Sequence, residues 1–266
     1  WYERARSYYG RWAEEWPGSP TAAASALRRA ESFALQGRWA EAARAYEAFD
    51  REHGTPDTRA DVWLRLASIY RDRLGRPELG REYHEKVLSE FPQQAPGATA
   101  AIELSRADVE VGRHEEARER LEAVIRSFPD EEPVVATALN LLAVSYELGG
   151  QWDNALSRYT ELWRDYPTTM YGLSAPLHIA NHYAEAGEEE ALASALDKAA
   201  EHYTRIARDY AGTPAEMVAW NHLYETRVRQ ERYAEAEGIL DRVEELHPDE
   251  EWVETARERL EVMTGG

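Results

Sequence analysis

The chain keeps a beat. Gly37, Gly75, Gly112, Gly150 and Gly187 sit in the similar phrases "LQGRW", "RLGRP", "EVGRH", "LGGQW" and "EAGEE", and "RQERY" puts Glu231 at the next such place. The intervals are 38, 37, 38, 37 and 44 residues. A second mark falls between these, an aromatic followed by proline: Trp16-Pro17, Phe91-Pro92, Phe128-Pro129 and Tyr166-Pro167. "HGTP", "YAGTP" and His247-Pro248 are its variants. A period of this size means one supersecondary unit copied along the chain.

Each copy reads as two helices. In "TALNLLAVSYELGGQWDNALSRYTELWRDYP", Leu139, Leu142, Ala143 and Tyr146 recur at helical spacing and form one apolar face. Gly149-Gly150 ends that helix, because glycine takes a left-handed C-cap at little cost. Trp152, Ala155, Tyr159 and Leu162 form the face of a second helix, and Pro167 blocks its continuation. Two short amphipathic helices cannot bury both faces alone, but stacked copies can.

These residues carry a resemblance. Trp63-x₂-Leu66-Ala67-x₂-Tyr70 and Leu139-x₂-Leu142-Ala143-x₂-Tyr146 resemble the first helix of a tetratricopeptide repeat. Ala42-x₃-Tyr46, Ala117-x₃-Leu121, Ala155-x₃-Tyr159 and Ala236-x₃-Leu240 resemble its second helix. The resemblance implies an all-α fold of about 14 helices, a solenoid of antiparallel pairs wound into a right-handed superhelix. A single solenoid is expected over 1–266. Full repeats lie at 21–53, 57–91, 96–128, 133–166, 173–210 and 214–247, with half repeats at 1–16 and 250–262. The period exceeds the usual 34 residues, and the excess lies in "FPQQAPGAT", "FPDEEPVVA" and "YPTTMYGLSA". Such loops resemble those of bacterial envelope repeat proteins, the outer-membrane assembly lipoproteins and the Tol-associated periplasmic type. That implies a periplasmic, cell-surface or extracellular place rather than a cytoplasmic one, although a mature lipoprotein begins with Cys and this chain has none. The fifth unit is longer, with one helix expected from Glu188 to Tyr210. Its stripe is Leu192, Leu196, Ala199, Tyr203, Ile206 and Tyr210, and the extension reads either as a docking feature or as a neutral insertion.

The opening "WYERARSYYGRWAEEWP" aligns with a second helix, Tyr2 on Trp152, Ala5 on Ala155, Tyr9 on Tyr159 and Pro17 on Pro167. "DEEWVETARERLEVM" aligns with a first helix, Trp252 on Leu139 and Ala256 on Ala143. Residues 1–38 carry six Arg and four Glu, and residues 231–266 carry four Arg and twelve acidic residues. One expectation is therefore an end-to-end interface of Tyr2, Tyr9, Trp12 and Trp16 with Trp252 and Ala256, which would build a head-to-tail homo-oligomer or filament. An excerpt of a longer repeat protein and an ordinary capping helix are the competing readings. The absence of an initiator Met points to processing or to an excerpt.

Composition excludes several classes. Net charge is −19 with acidic residues throughout, which disfavours nucleic acid and anionic membrane surfaces. With no Cys there is no disulfide framework, thiolate zinc site or iron–sulfur cluster. Only Lys86 and Lys198 are lysine among 31 basic residues, which suggests a coding bias or salt adaptation. The most apolar run, "VVATALNLLAV", is far shorter than the ~20 residues of a membrane span. "HIANH" sets His178 and His182 on one helical face, but the zinc-protease Glu and a third ligand are lacking, so packed or solvated histidines are expected. His182→Ala is expected to change little. Acidic runs such as "GEEEAL" and "HPDEEW" read as helix-start carboxylates that favour the dipole. No catalytic residue, metal or cofactor is predicted.

What remains is surface. In this family the first helices line the concave side, so Ser68, Arg71, Arg106, Asn140, Asn181, Asn221, Glu225 and Arg229 are the candidate groove for a protein or peptide partner. The chaperone-binding subfamily resembles a Lys and Asn clamp, and Lys is missing from these positions. The expected function is a protein–protein interaction scaffold, with a self-assembling structural subunit as the alternative.

Overall fold

Why the beat exists is visible at the helix ends. In the computed structural model, Gly37, Gly75, Gly112, Gly150 and Gly187 all have φ between 62° and 79°, and Glu231 has φ 58°. Each closes a first helix. The amide of the following residue reaches back to a carbonyl five residues earlier: Arg38 to Phe33, Arg113 to Asp108, Gln151 to Tyr146, Glu188 to Tyr183 and Arg232 to Arg227, at 2.8–3.0 Å. This closure satisfies carbonyls that a helix end otherwise leaves bare. At Gly75 the bond spans one residue more, Arg76 to Tyr70, because the helix before it ends in a π-turn over Ile69–Arg73.

The structure describes residues 2–15 and 20–265, without the side chains of residues 2, 5, 6, 12–14 and 20. Among these there are fourteen α-helices and no strand. The helices are α1 Tyr2–Glu15, α2 Pro20–Ala34, α3 Trp39–His53, α4 Pro56–Ser68, α5 Pro77–Glu90, α6 Ala95–Glu110, α7 His114–Ser127, α8 Glu132–Leu148, α9 Trp152–Asp165, α10 Met170–Ala186, α11 Glu189–Asp209, α12 Pro214–Arg229, α13 Tyr233–Leu246 and α14 Glu251–Thr264. Among the described residues, no helix is long and apolar enough to cross a membrane.

Local chemistry starts the helices as well. Proline stands in the first turn of α4, α5, α6, α8 and α12, where its missing N–H costs nothing. Thr55 and Thr58 cap α4 reciprocally, and the Thr169 hydroxyl accepts from the Gly172 amide at 3.1 Å at the start of α10. Acidic residues occupy the first turns of the second helices, including Glu41, Asp153 and Glu235.

The chain forms two compact units, Trp1–Ser127 and Phe128–Gly266. In the first, consecutive helices from α1 to α7 pack against one another, and α4 also meets α6. In the second the same holds from α8 to α14, with α8 against α10 and α10 against α12. This is the antiparallel helix-pair architecture expected of a solenoid. The small residues sit where helices approach most closely. Ala42, Ala117, Ala155 and Ala236 are completely buried, and so are Tyr46, Leu121, Tyr159 and Leu240 four residues on. α11 is 21 residues long, against 14 for α9 and α13. Its stripe is buried from Leu196 through Ile206, but Tyr210 lies beyond the helix and is exposed, so the apolar face ends one turn earlier than the spacing suggests.

Candidate protein-binding face

The predicted groove residues fall into two groups, one in each unit. In the first unit, Ser68 and Arg71 lie at the end of α4 and its π-turn, and Arg106 lies on α6. The Ser68 hydroxyl donates to Asp72 at 2.9 Å. Arg71 bonds Asp72 at 2.7 Å and reaches Glu103 on α6 at 2.6 Å. Arg106 stands 3.7 Å from the same Glu103. The hydrogen bond from Arg71 holds the Asp72 carboxyl below its ordinary range, against its partial burial. Three of the predicted residues are thus tied together, through two carboxylates that the sequence pattern does not single out.

In the second unit, Arg229 near the end of α12 donates to the Asn181 side-chain oxygen on α10 at 2.5 Å and stands 3.6 Å from Glu225 one turn earlier. Asn221, one further turn back, lines a pocket of about 320 Å³ with Glu225, Tyr224, Trp252, Thr255, Ala256 and Arg259. Asn181, Asn221, Glu225 and Arg229 therefore form one polar series on two adjoining first helices, ending at an opening beside an aromatic wall. Asn140 is half-buried on α8 and, among the described residues, is not bonded to this series.

The end residues that the structure describes pack within their own units. Ala256 is buried against α12, with its carbonyl accepting the Tyr224 hydroxyl at 2.8 Å, and Trp252 packs on the same core and lies 6.1 Å from the Tyr224 ring. Ala256 is buried in its own unit, whereas Trp252 is half-buried and also lines the pocket beside Asn221. Tyr9 is half-buried and lines a pocket of about 740 Å³ between α1 and α3, with Phe33 and Phe49 also in its wall. The side chains of Tyr2 and Trp12, and all of Trp16, lie outside the described residues.

The two histidines of "HIANH" are aromatic partners. His178 is exposed and stacks on Tyr159 with ring centroids 5.7 Å apart. His182 stacks on Trp152 at 3.4 Å and places Nδ1 3.0 Å from Glu147, whose other oxygen accepts the Tyr159 hydroxyl at 2.9 Å. Burial, reinforced by Glu147, pushes the Tyr159 hydroxyl well above its ordinary range. His182 is thus a packed histidine, stacked on Trp152 and bonded to Glu147, and on this geometry its removal is expected to cost more than the spacing alone suggests.

A feature the sequence pattern missed lies on the second helices of the second unit. A pocket of about 640 Å³ runs along α11, bounded by Trp163 and Arg164 of α9 and by Arg227 and Arg232. Its lining includes Lys198, His202, Arg205 and Arg208. These cations are scattered through the sequence between positions 164 and 232, so no local run announces them.

Stacked amphipathic pairs with polar, half-exposed first-helix faces define a helical-repeat protein. Tetratricopeptide repeat models match residues 102–168 and 24–54. Solved structures similar to this one include a tetratricopeptide repeat protein from Parabacteroides merdae, 13% identical, covering 96% of this chain and 90% of that one, with a TM-score of 0.55. BtubC from P. vanneervenii is 18% identical, covering 80% of this chain and 91% of that one, with a TM-score of 0.58. Yeast Tom70 is 13% identical, covering 99% of this chain and 52% of that one, with a TM-score of 0.59. At such identities the likeness concerns the fold. No curated protein matches the sequence. The two repeat matches together span less than half of the chain, and the solved structures show that its fold is that of tetratricopeptide repeat proteins.

Proposed function

We propose that the chain is a non-catalytic scaffold that holds another polypeptide against the first-helix face of its second unit. The observation that carries this reading is the series Asn181–Arg229–Glu225–Asn221, which leads to the pocket beside Tyr224 and Trp252. Asn side chains offer both a donor and an acceptor, the pair a peptide backbone needs, and Arg229 and Arg259 offer bidentate donors to a carboxylate. Rigid aromatic rings beside such groups supply apolar area at little entropic cost.

The reading is tested by selecting peptides from a displayed random library on the purified chain and measuring them by calorimetry. Against Asn181→Ala with Asn221→Ala, the selected peptides are expected to lose about 1–3 kcal/mol, the usual cost of lost buried hydrogen bonds. Undiminished affinity would move the binding surface elsewhere. The aromatic–proline loops support a further placement, in an assembly of a bacterial cell envelope. Fractionation of the native host tests it, and a purely cytoplasmic pool would refute it.

A further inference from the structure

The pocket along α11 belongs to neither group of first-helix residues, and its charge runs against the rest of the molecule. The chain carries −19 overall, yet Arg164, Lys198, Arg205, Arg208, Arg227 and Arg232 all line this one pocket. Four of the six are engaged: Arg164 with Asp165, Arg208 with Asp209, Arg227 with Glu235 at 3.0 Å, and Arg232 with Asp197 at 3.7 Å. Lys198 and Arg205 are exposed and have no carboxylate partner among the described ion pairs. They stand seven residues apart, two turns along one flank of α11.

Between them lies His202, 5% exposed and part of the pocket lining. Arg205 reaches His202 Nδ1 at 3.3 Å. A guanidinium can only donate, so Nδ1 accepts and Nε2 carries the hydrogen. Nε2 is buried and has no hydrogen-bond partner. The ring is held in place by Trp163, stacked 5.7 Å away and within 15° of parallel. A buried donor without an acceptor is rare in folded proteins, and such a group calls for a partner. Here it sits in the pocket wall, between the exposed Lys198 and Arg205.

We infer that the flank of α11 is a second docking site, which takes a carboxylate-rich peptide segment of a partner protein. The spacing selects a peptide over a small oxyanion. From Lys198 to Arg208 the cations are spread along roughly 15 Å of helix, the length of about five extended residues. A single phosphate would need them converging on one point. The acidic remainder of the surface repels the same ligand and so directs it to this flank. Glu201 and Asp197, also in the lining, break the charge into separate contacts rather than one uniform patch. The site adds a second face to the scaffold reading, and the two are tested by different variants.

The experiment is fluorescence anisotropy of a labelled hexaglutamate peptide titrated with the full chain at low salt. Saturable binding is expected, weakening steeply as salt is added. Lys198→Glu with Arg205→Glu, or Lys198→Gln with Arg205→Gln if the reversal misfolds by circular dichroism, is expected to weaken it at least about tenfold. His202→Phe keeps the stack but removes the donor and is expected to weaken it severalfold, whereas Asn181→Ala with Asn221→Ala leaves it unchanged. Absence of saturable binding, or full binding by the folded charge variants or by His202→Phe, would overturn the site. Displacement of the peptide by inorganic phosphate at matched charge would show a free oxyanion site and overturn the peptide assignment.

Discussion

Trp152 and His182 lie face to face, with ring centroids 3.4 Å apart and planes 4° from parallel. Trp152 is the first residue of α9 and His182 sits near the end of α10, so the stack fastens one helix pair to the next. Glu147 at the end of α8 closes the cluster through His182 Nδ1 and the Tyr159 hydroxyl. Removing the imidazole takes away a stacking partner and leaves Glu147 with one bond fewer. His182→Ala is expected to cost about 1–2 kcal/mol in urea unfolding. A change within the noise of the measurement would show that the cluster is decorative.

Glu231 occupies the left-handed position that glycine holds at five earlier repeats. An L-residue there pays roughly 1–2 kcal/mol from its Cβ against the carbonyl. Glu231→Gly is expected to raise stability by about 1 kcal/mol, after the larger chain entropy of glycine in the unfolded state is offset. The reverse change at an equivalent place, Gly150→Glu, is expected to lower it by a similar amount. Equal midpoints for all three proteins would refute the assignment.

Asp108 on α6 is 2% exposed and is bonded by three arginines: Arg81 of α5, Arg113 just before α7 at 2.8 Å, and Arg120 of α7 at 2.8 Å. Burial opposes its charge, but the hydrogen bonds from Arg120 and Arg81 outweigh burial and hold the carboxyl below its ordinary value of 3.8. Asp108→Asn strands those guanidinium groups and is expected to cost about 3 kcal/mol. Asp72→Asn, at a partly exposed pair, is expected to cost under about 1 kcal/mol. Equal costs for the two variants would place Asp108 among ordinary surface pairs.

Acid should loosen the protein before its carboxylates titrate. Burial lowers His84 and His202 from the usual 6.5 to about 4. The unfolded chain takes up these protons near pH 6.5, while the folded chain waits until about pH 4. The unfolded state therefore binds more protons in that window, and stability falls as pH drops through it. The expected loss between pH 7 and pH 4.5 is on the order of 5 kcal/mol for the two groups together. The double variant His84→Gln with His202→Gln should show a flatter dependence across the same window. An unchanged slope would assign the effect to other groups. The stabilisation from Asp108 is fully present above its ordinary 3.8 and is lost only as pH falls below that value.

The sequence by itself determined the repeat, the helix ends and the core stripes, because these depend on neighbours three to five residues away. A glycine closes a helix, a proline opens one, and an Ala followed four residues later by a large ring marks a buried face. Legible too was the polar character of Asn181, Asn221, Glu225 and Arg229, because outward residues recur at the helical period. Only the tertiary structure decided which of them meet. Arg229 reaches Asn181 across 48 residues of sequence. Arg71 finds Glu103 across 32. Ala256, aligned with Ala143 and named as part of an end-to-end interface, is buried within its own unit because α14 needs a face to bury and α12 and α13 provide it. The basic pocket on α11 was invisible for the same reason. Three of its six cations come from other helices or loops, and Arg164, Lys198, Arg208 and Arg232 each stand beside an acidic residue that hides them in a local count. A side chain's local conformational preference is written in its near neighbours, while its electrostatic company is set by which helix flanks are stacked together.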